Sequence, residues 1–157
     1  MSRAGIALLV FLCVAARAEE ANPIHWRTAG AQIQAKAESL IRVPVVATID
    51  AGWHLYSLKK LEGGPIPTTL AIGPGQPFTL DGKIDSPEPI PMDDPHFGMT
   101  VEFYLGSAQF DLPVRVAADV TPGEHVLKVS ARYQTCSAKL CLPPKNVTVE
   151  VQVAVSK

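Results

Sequence analysis

Helical periodicity is nearly absent from this chain of 157 residues, and so are long apolar runs, clustered basic residues and an abundance of cysteine. Each absence narrows what the protein can be. The one extended apolar stretch, Ala4 to Ala16, falls short of the ~20 residues that a membrane span requires. It follows Arg3 and runs into Ala16, Arg17 and Ala18, the layout of a secretory leader cleaved after Ala18. The division expected is therefore a signal peptide over 1–18 and a single domain over 19–157, with no membrane span in the mature chain. Cys13 lies inside the apolar run behind Leu12, where a lipoprotein signal would carry a small residue, which argues against lipid anchoring.

No run of Lys and Arg is longer than Lys59-Lys60. Loss of Arg3 and Arg17 with the leader would reduce 14 basic residues to 12 against 15 acidic ones, a charge of −3. Phosphate backbones are bound by clustered positive surface, so nucleic acid is not expected as a partner. No phosphate loop, serine elbow or paired-carboxylate pattern stands out either. With Cys13 removed, Cys136 and Cys141 remain, and two cysteines allow one pairing. Export places them where disulfides persist.

What the sequence does have is period-two alternation. Val147, Val149, Val151, Val153 and Val155 alternate with Thr148, Glu150, Gln152 and Ala154, a strand with one buried face. The same holds for Leu127, Val129, Ala131 and Tyr133, and for Phe110, Leu112, Val114 and Val116; each is expected to be a half-buried antiparallel strand. Leu40 to Asp50 predicts a strand that turns at Ala51-Gly52 into Trp53 to Leu58 as a hairpin, and Val101 to Leu105 predicts another, paired through Gly106-Ser107 with the strand near Gln109. Gly63 to Gly98 carries eight prolines and reads as stiff loop with short edge strands at Thr68 to Ile72 and Phe78 to Leu80. Ile33 to Ser39 could make a helical turn, marginal at that length. Seven to nine short strands with closely spaced turns favour an all-β sandwich, although a barrel gives much the same pattern.

Chemistry concentrates in Tyr133-Gln134-Thr135-Cys136-Ser137-Ala138-Lys139-Leu140-Cys141-Leu142-Pro143-Pro144. Two cysteines with four residues between them can be joined if the chain turns sharply, here on a hairpin connection whose exit Pro143-Pro144 holds extended. One reading is a structural staple. Closing a loop of about six residues is worth only about 2 kcal/mol, against 4 to 5 for a loop of a hundred, so a domain with five good strands has little need of it. The other reading is exchange, since a short surface disulfide is open to an attacking thiolate. Lys139 could favour a thiolate there or be a solvated turn residue.

These residues resemble the catalytic loop of the N-terminal periplasmic domain of DsbD, the membrane thiol:disulfide interchange protein. Gly52-Trp53-His54-Leu55-Tyr56 is similar to that family's early strand, and Asp94-Pro95-His96-Phe97-Gly98 with Glu102-Phe103-Tyr104 to its cap loop and the strand after it. The resemblance implies an immunoglobulin-like antiparallel β-sandwich that passes electrons to oxidised thioredoxin-like or disulfide-isomerase proteins of the periplasm, a protein-disulfide reductase component needing no cofactor. It implies that Cys141 forms the mixed disulfide, that Cys136 resolves it, and that Phe97 is the cap. His96, Tyr56, Tyr104 and Lys139 are expected to line the site, the two tyrosines reading equally well as ordinary strand aromatics. The gap of four between the cysteines is one shorter than in the best-known members, and Pro95 and His96 separate Asp93 and Asp94 from the aromatic. Because the sequence ends at Lys157, a membrane reductant is expected in trans.

Two other classes stay open. A sandwich that only binds partner proteins would keep the disulfide to shape a loop. Met92, His96 and Met99 with Asp93 and Asp94 offer thioether, imidazole and carboxylate groups that suit copper, without the fixed spacing of a closed ligand set; no metal site is assigned.

Overall fold

The structure is a computed structural model that describes residues 22–157; the expected leader and its cleavage point lie outside the described residues. Twelve strands and no helix make up the described residues. The first sheet contains β1 (Ile24–Thr28), β3 (Leu40–Ile49), β9 (Ser107–Val116) and β6 (Phe78–Leu80), in the order β1-β3-β9-β6. The second contains β2 (Ile33–Lys36), β12 (Lys145–Ser156), β10 (Gly123–Tyr133) and β5 (Thr69–Ile72), in the order β2-β12-β10-β5. All pairs are antiparallel except β2 with β12.

The alternation read from the sequence is the burial pattern of the sandwich. Val43, Val45, Phe110, Leu112 and Val114 from the first sheet share one buried cluster with Leu127, Val129, Ala131, Val151 and Val153 from the second. Removing such a side chain from water is worth about 1.5–3 kcal/mol, and a register slip of one residue would turn the whole set outward. The fold is thus an all-β, immunoglobulin-like sandwich.

A third sheet carries the rest: β11 (Thr135–Ser137), β4 (Trp53–Tyr56), β8 (Met99–Tyr104) and β7 (Ile90–Asp94), in the order β11-β4-β8-β7. It corrects both expected hairpins. β3 pairs with β9 from Leu40↔Arg115 to Thr48↔Ser107, and β4 pairs with β8 at Leu55↔Tyr104. The two chains therefore run side by side from the sandwich into the third sheet, each bending at a corner. At one, Trp53 N–H donates to Asp50 O (3.1 Å) with Gly52 at φ 84°, a turn that requires positive φ at its third residue. At the other, Ser107 N–H donates to Leu105 O (2.6 Å) around Gly106 at φ 64°. Ile49 N–H donates to Gly106 O (2.8 Å) and ties the corners together. A glycine corner and a hairpin turn carry the same local signal, and only the pairing partners separate them.

Two smaller expectations also change. Ile33 to Lys36 is an edge strand beside β12 rather than a helical turn, because the ladder supplies the hydrogen bonds that so short a helix lacks. The proline-rich stretch contains one strand beyond those expected: β7 includes Pro91, tolerated at the edge of its sheet.

Candidate functional site

The cysteines sit at the tip of the β10–β12 hairpin. β10 ends at Tyr133, paired with Lys145, and the chain continues through Gln134 into β11, which pairs with β4 so that Cys136 faces His54. Ser137 N–H donates to Leu140 O (2.9 Å) and Leu142 N–H to Thr135 O (3.0 Å). These bonds flank Cys136 and Cys141, which are opposite each other as a non-hydrogen-bonded pair, the position at which antiparallel side chains approach most closely. The two are bonded as a disulfide, with Cα atoms 4.0 Å apart. Ser137 Oγ accepts the backbone N–H groups of Lys139 and Leu140, both at 3.2 Å, and so closes the turn.

Burial separates the two sulfurs. Cys136 is 0 % exposed, whereas Cys141 is only partly buried and packs at the margin of the same cluster. That cluster is one face of the third sheet: Tyr56, Val101, Phe103 and Cys136, with Phe97, Met92 and Met99 against it. Phe97 presents its ring edge-on to Tyr56 at 5.9 Å.

Tyr56 is the junction of the site. Its hydroxyl donates to Asp94 Oδ2 at 2.6 Å, and the same oxygen lies 3.1 Å from Cys136 Sγ. Asp94, 1 % exposed, is held in turn by the His96 N–H, which donates to Oδ1 (2.8 Å). Gly98 N–H donates to the Asp94 carbonyl at 2.8 Å and folds the segment Asp94 to Gly98 back over the cysteines. Burial, with the Asp94 carboxylate beside it, raises the Tyr56 phenol far above its ordinary value, so it stays protonated and can donate.

The sequence-derived candidates divide in space. Phe97 and Tyr56 pack with the cysteines, and His96 Nε2 lies 3.2 Å from Ser137 O. Lys139 is exposed at the tip of the turn. Tyr104 points elsewhere: it belongs to the main core, its ring edge-on to Phe110 at 5.5 Å, and burial raises its phenol. The thioethers of Met92 and Met99 pack into the apolar cluster, Asp93 Oδ1 accepts from Thr100 Oγ1 (2.6 Å), and Asp94 is engaged with Tyr56. Among the described residues no three His, Cys, Asp or Glu side chains gather as metal ligands.

Two site residues went unassigned in the sequence. In the sequence Asp94 stands out only as an acid near the aromatic of the cap and as one of the groups suited to copper, and His54 only within the motif Gly52 to Tyr56. His54 is 8 % exposed, its ring 5.0 Å from that of Tyr56 and 5.1 Å from Phe103. Its Nε2 lies 4.0 Å from Asp94 Oδ2 and has no hydrogen-bond partner among the described residues. Burial lowers its pKa, more than the Asp94 charge raises it, and His96 lowers it further. The available signal was period two: His54 and Tyr56 must share a face, and that face receives Cys136.

The sequence profile of a family described as the N-terminal domain of the thiol:disulfide interchange protein DsbD matches residues 20–153. The chain belongs to this family. Membership in the DsbD N-terminal family implies thiol-disulfide interchange in a periplasmic domain and interaction with thioredoxin-like proteins. Among the described residues no helix is long and apolar enough to cross a membrane. No curated protein matches the chain. Solved structures similar to it include a chain of a type I cohesin–dockerin complex of Clostridium thermocellum, at 12 % identity over 90 % of this chain and 100 % of that one, with a TM-score of 0.46. Another is a family 123 glycoside hydrolase of Clostridium perfringens, at 9 % identity over 87 % of this chain and 28 % of that one, TM-score 0.43. A third is self-complemented MyfA, the major subunit of Myf fimbriae of Yersinia enterocolitica, in complex with galactose, at 11 % identity over 83 % and 98 %, TM-score 0.35.

Proposed function

We propose that the protein is an exported thiol-disulfide exchange module, released by cleavage after Ala18 as a single domain over 19–157, that passes reducing equivalents through Cys136 and Cys141. A membrane reductant supplies them in trans, and oxidised thioredoxin-like or disulfide-isomerase proteins of the periplasm take them up. In the forward direction the Cys141 thiolate attacks a partner disulfide, forming one mixed S–S bond and releasing the first partner thiolate. Cys136 then attacks Cys141 Sγ, closes the internal disulfide and releases the second. The module loses two electrons and two protons, and the partner gains them.

The observation that carries this reading is the unequal burial of the pair: Cys136 is 0 % exposed and Cys141 partly exposed. Exchange needs in-line access to one sulfur, and Cys141 is the one within reach of a docked partner. Phe97 and His96 form the cap. Their loop rests on the cysteine turn through a ring packed on Tyr56 and an imidazole beside Ser137 O, and moving it aside at an interface opens the path to Cys141.

Cysteine trapping tests the assignment. Cys136→Ser is expected to accumulate a mixed disulfide with a thioredoxin-like partner through Cys141, and Cys141→Ser to accumulate none. If neither variant traps a partner, and no thioredoxin-type dithiol reduces the wild-type disulfide, the pair is a staple in a protein-binding sandwich.

A further inference from the structure

Cys136 is fully buried, yet a thiol cannot act as a nucleophile until its proton leaves. Bulk water does not reach that sulfur. The hydroxyl oxygen of Tyr56 does, at 3.1 Å, and its own proton is already directed at Asp94 Oδ2, 2.6 Å away. Beyond Asp94 the path reaches His54 Nε2, buried and without a hydrogen-bond partner among the described residues. At 4.0 Å from Asp94 Oδ2, Nε2 is placed to accept a proton in the tautomer that carries its hydrogen on Nδ1. His54 forms part of the wall of a largely apolar cavity of about 570 Å³, together with Trp53, Met92, Asp94, His96 and Phe103.

We propose that His54 is the proton outlet of the resolving cysteine: it receives, through Tyr56 and Asp94, the proton that Cys136 gives up, and returns it to water in the adjoining cavity. This rests on the exchange reading above. As Cys136 Sγ bonds to Cys141 Sγ, the partner's sulfur leaves with the electron pair of the broken mixed disulfide. The thiol proton moves to Tyr56 Oη, the Tyr56 proton to Asp94 and the Asp94 proton to His54 Nε2. A small rotation of the imidazole closes the last gap, and the released partner thiolate regains a proton from solvent. His54 touches neither reacting sulfur; it acts on Cys136 through Tyr56 and Asp94 and is a positioning residue. The titratable groups that face it are Asp94 on β7, His96 on the cap loop, Tyr56 on its own strand and Cys136 on β11, while β8 presents Phe103. Desolvation keeps the imidazole neutral, and so able to accept, at neutral pH.

The test mixes the reduced protein with a chromogenic aryl disulfide whose thiolate is released twice, first by Cys141 and then by Cys136, and follows both phases from about pH 5 to about pH 9. In the wild type the second phase is expected to hold a plateau around neutrality and to fall below an inflection under the ordinary histidine value of about 6.5. His54→Phe, which retains a ring against Tyr56 and Phe103, is expected to slow the second phase on the order of a hundredfold near neutrality, to leave the first unchanged, and to turn the plateau into a steady rise with pH. A wild-type second phase that rises steadily across the whole range overturns the proposal without need of any variant. So does a His54→Phe protein whose second phase keeps the wild-type rate and profile, or whose two phases slow together. If the wild type shows no second phase at all, the exchange reading itself fails.

Discussion

The His96 imidazole nitrogen Nε2 lies 3.2 Å from the carbonyl oxygen of Ser137, so that the segment Asp94 to Gly98 rests directly on the turn that carries the cysteines. Two residues earlier, at the end of β7, stands Asp94, the acceptor for Tyr56. The residues packed against the disulfide and the polar group behind it are thus one short segment, and moving the first disturbs the second.

Phe97→Ala removes the apolar part of the proposed cap. Phe97 is only partly buried, so the stability cost is expected below the 3–5 kcal/mol of a core phenylalanine, at about 1–2 kcal/mol. Reduction of the disulfide by a small thiol is expected to accelerate about tenfold by easier access. Urea denaturation and stopped-flow reduction measure the two, and an unchanged reduction rate would deny Phe97 a shielding role.

Tyr56→Phe leaves the buried Asp94 carboxylate without its hydroxyl donor. A lost hydrogen bond to a charged acceptor costs about 2–3 kcal/mol, seen as a lower urea midpoint. In a double-mutant cycle with Asp94→Asn the two effects are expected to be non-additive by about 1–2 kcal/mol. Simple additivity would mean that the 2.6 Å contact contributes nothing on its own.

Stability is expected to fall as pH drops through the histidine range. The folded-state pKa of His54 is depressed by burial, so below about 6.5 the unfolded chain takes up a proton that the folded protein refuses, and stability rises with pH wherever the unfolded state binds more protons. The contribution is complete above the unfolded value and is lost from there down to the lower, folded one. His54→Phe should flatten that part of the curve in urea denaturation from about pH 5 to about pH 8; an identical slope in both proteins would contradict it.

Reduction should leave the domain folded. The bridge closes a loop of about six residues, worth about 2 kcal/mol, while the sandwich core contains no atom of it. Near-ultraviolet circular dichroism of the reduced protein should keep its native form, with a small fall in the denaturation midpoint.

Much of this architecture is written locally. The alternation at Leu127 to Tyr133 and Val147 to Val155 needs only one buried face to show itself, and the structure buries the residues that it marks, Val147 only partly. Pairing partners are not local. The breakers at Gly52 and Gly106 announce a change of direction without saying whether the chain folds back or turns a corner, and β7 was concealed by Pro91. The same division runs through the site. Cys136 and Cys141 are five positions apart and legible as a pair, whereas Tyr56, Asp94 and Cys136, separated by 38 and 80 positions in their contacts with Tyr56, meet only once the register of the third sheet is set. The place of His54, 4.0 Å from Asp94 Oδ2, is hidden for the same reason.

The most direct measurement is the equilibrium between the Cys136–Cys141 disulfide and a graded glutathione or dithiothreitol couple, read by thiol alkylation with folding followed in parallel. A reversible, folded two-electron transition at a potential above about −300 mV, the region below which structural bridges lie, is the result expected. A bond that stays closed across the series, or that opens only as the sandwich unfolds, would contradict the account.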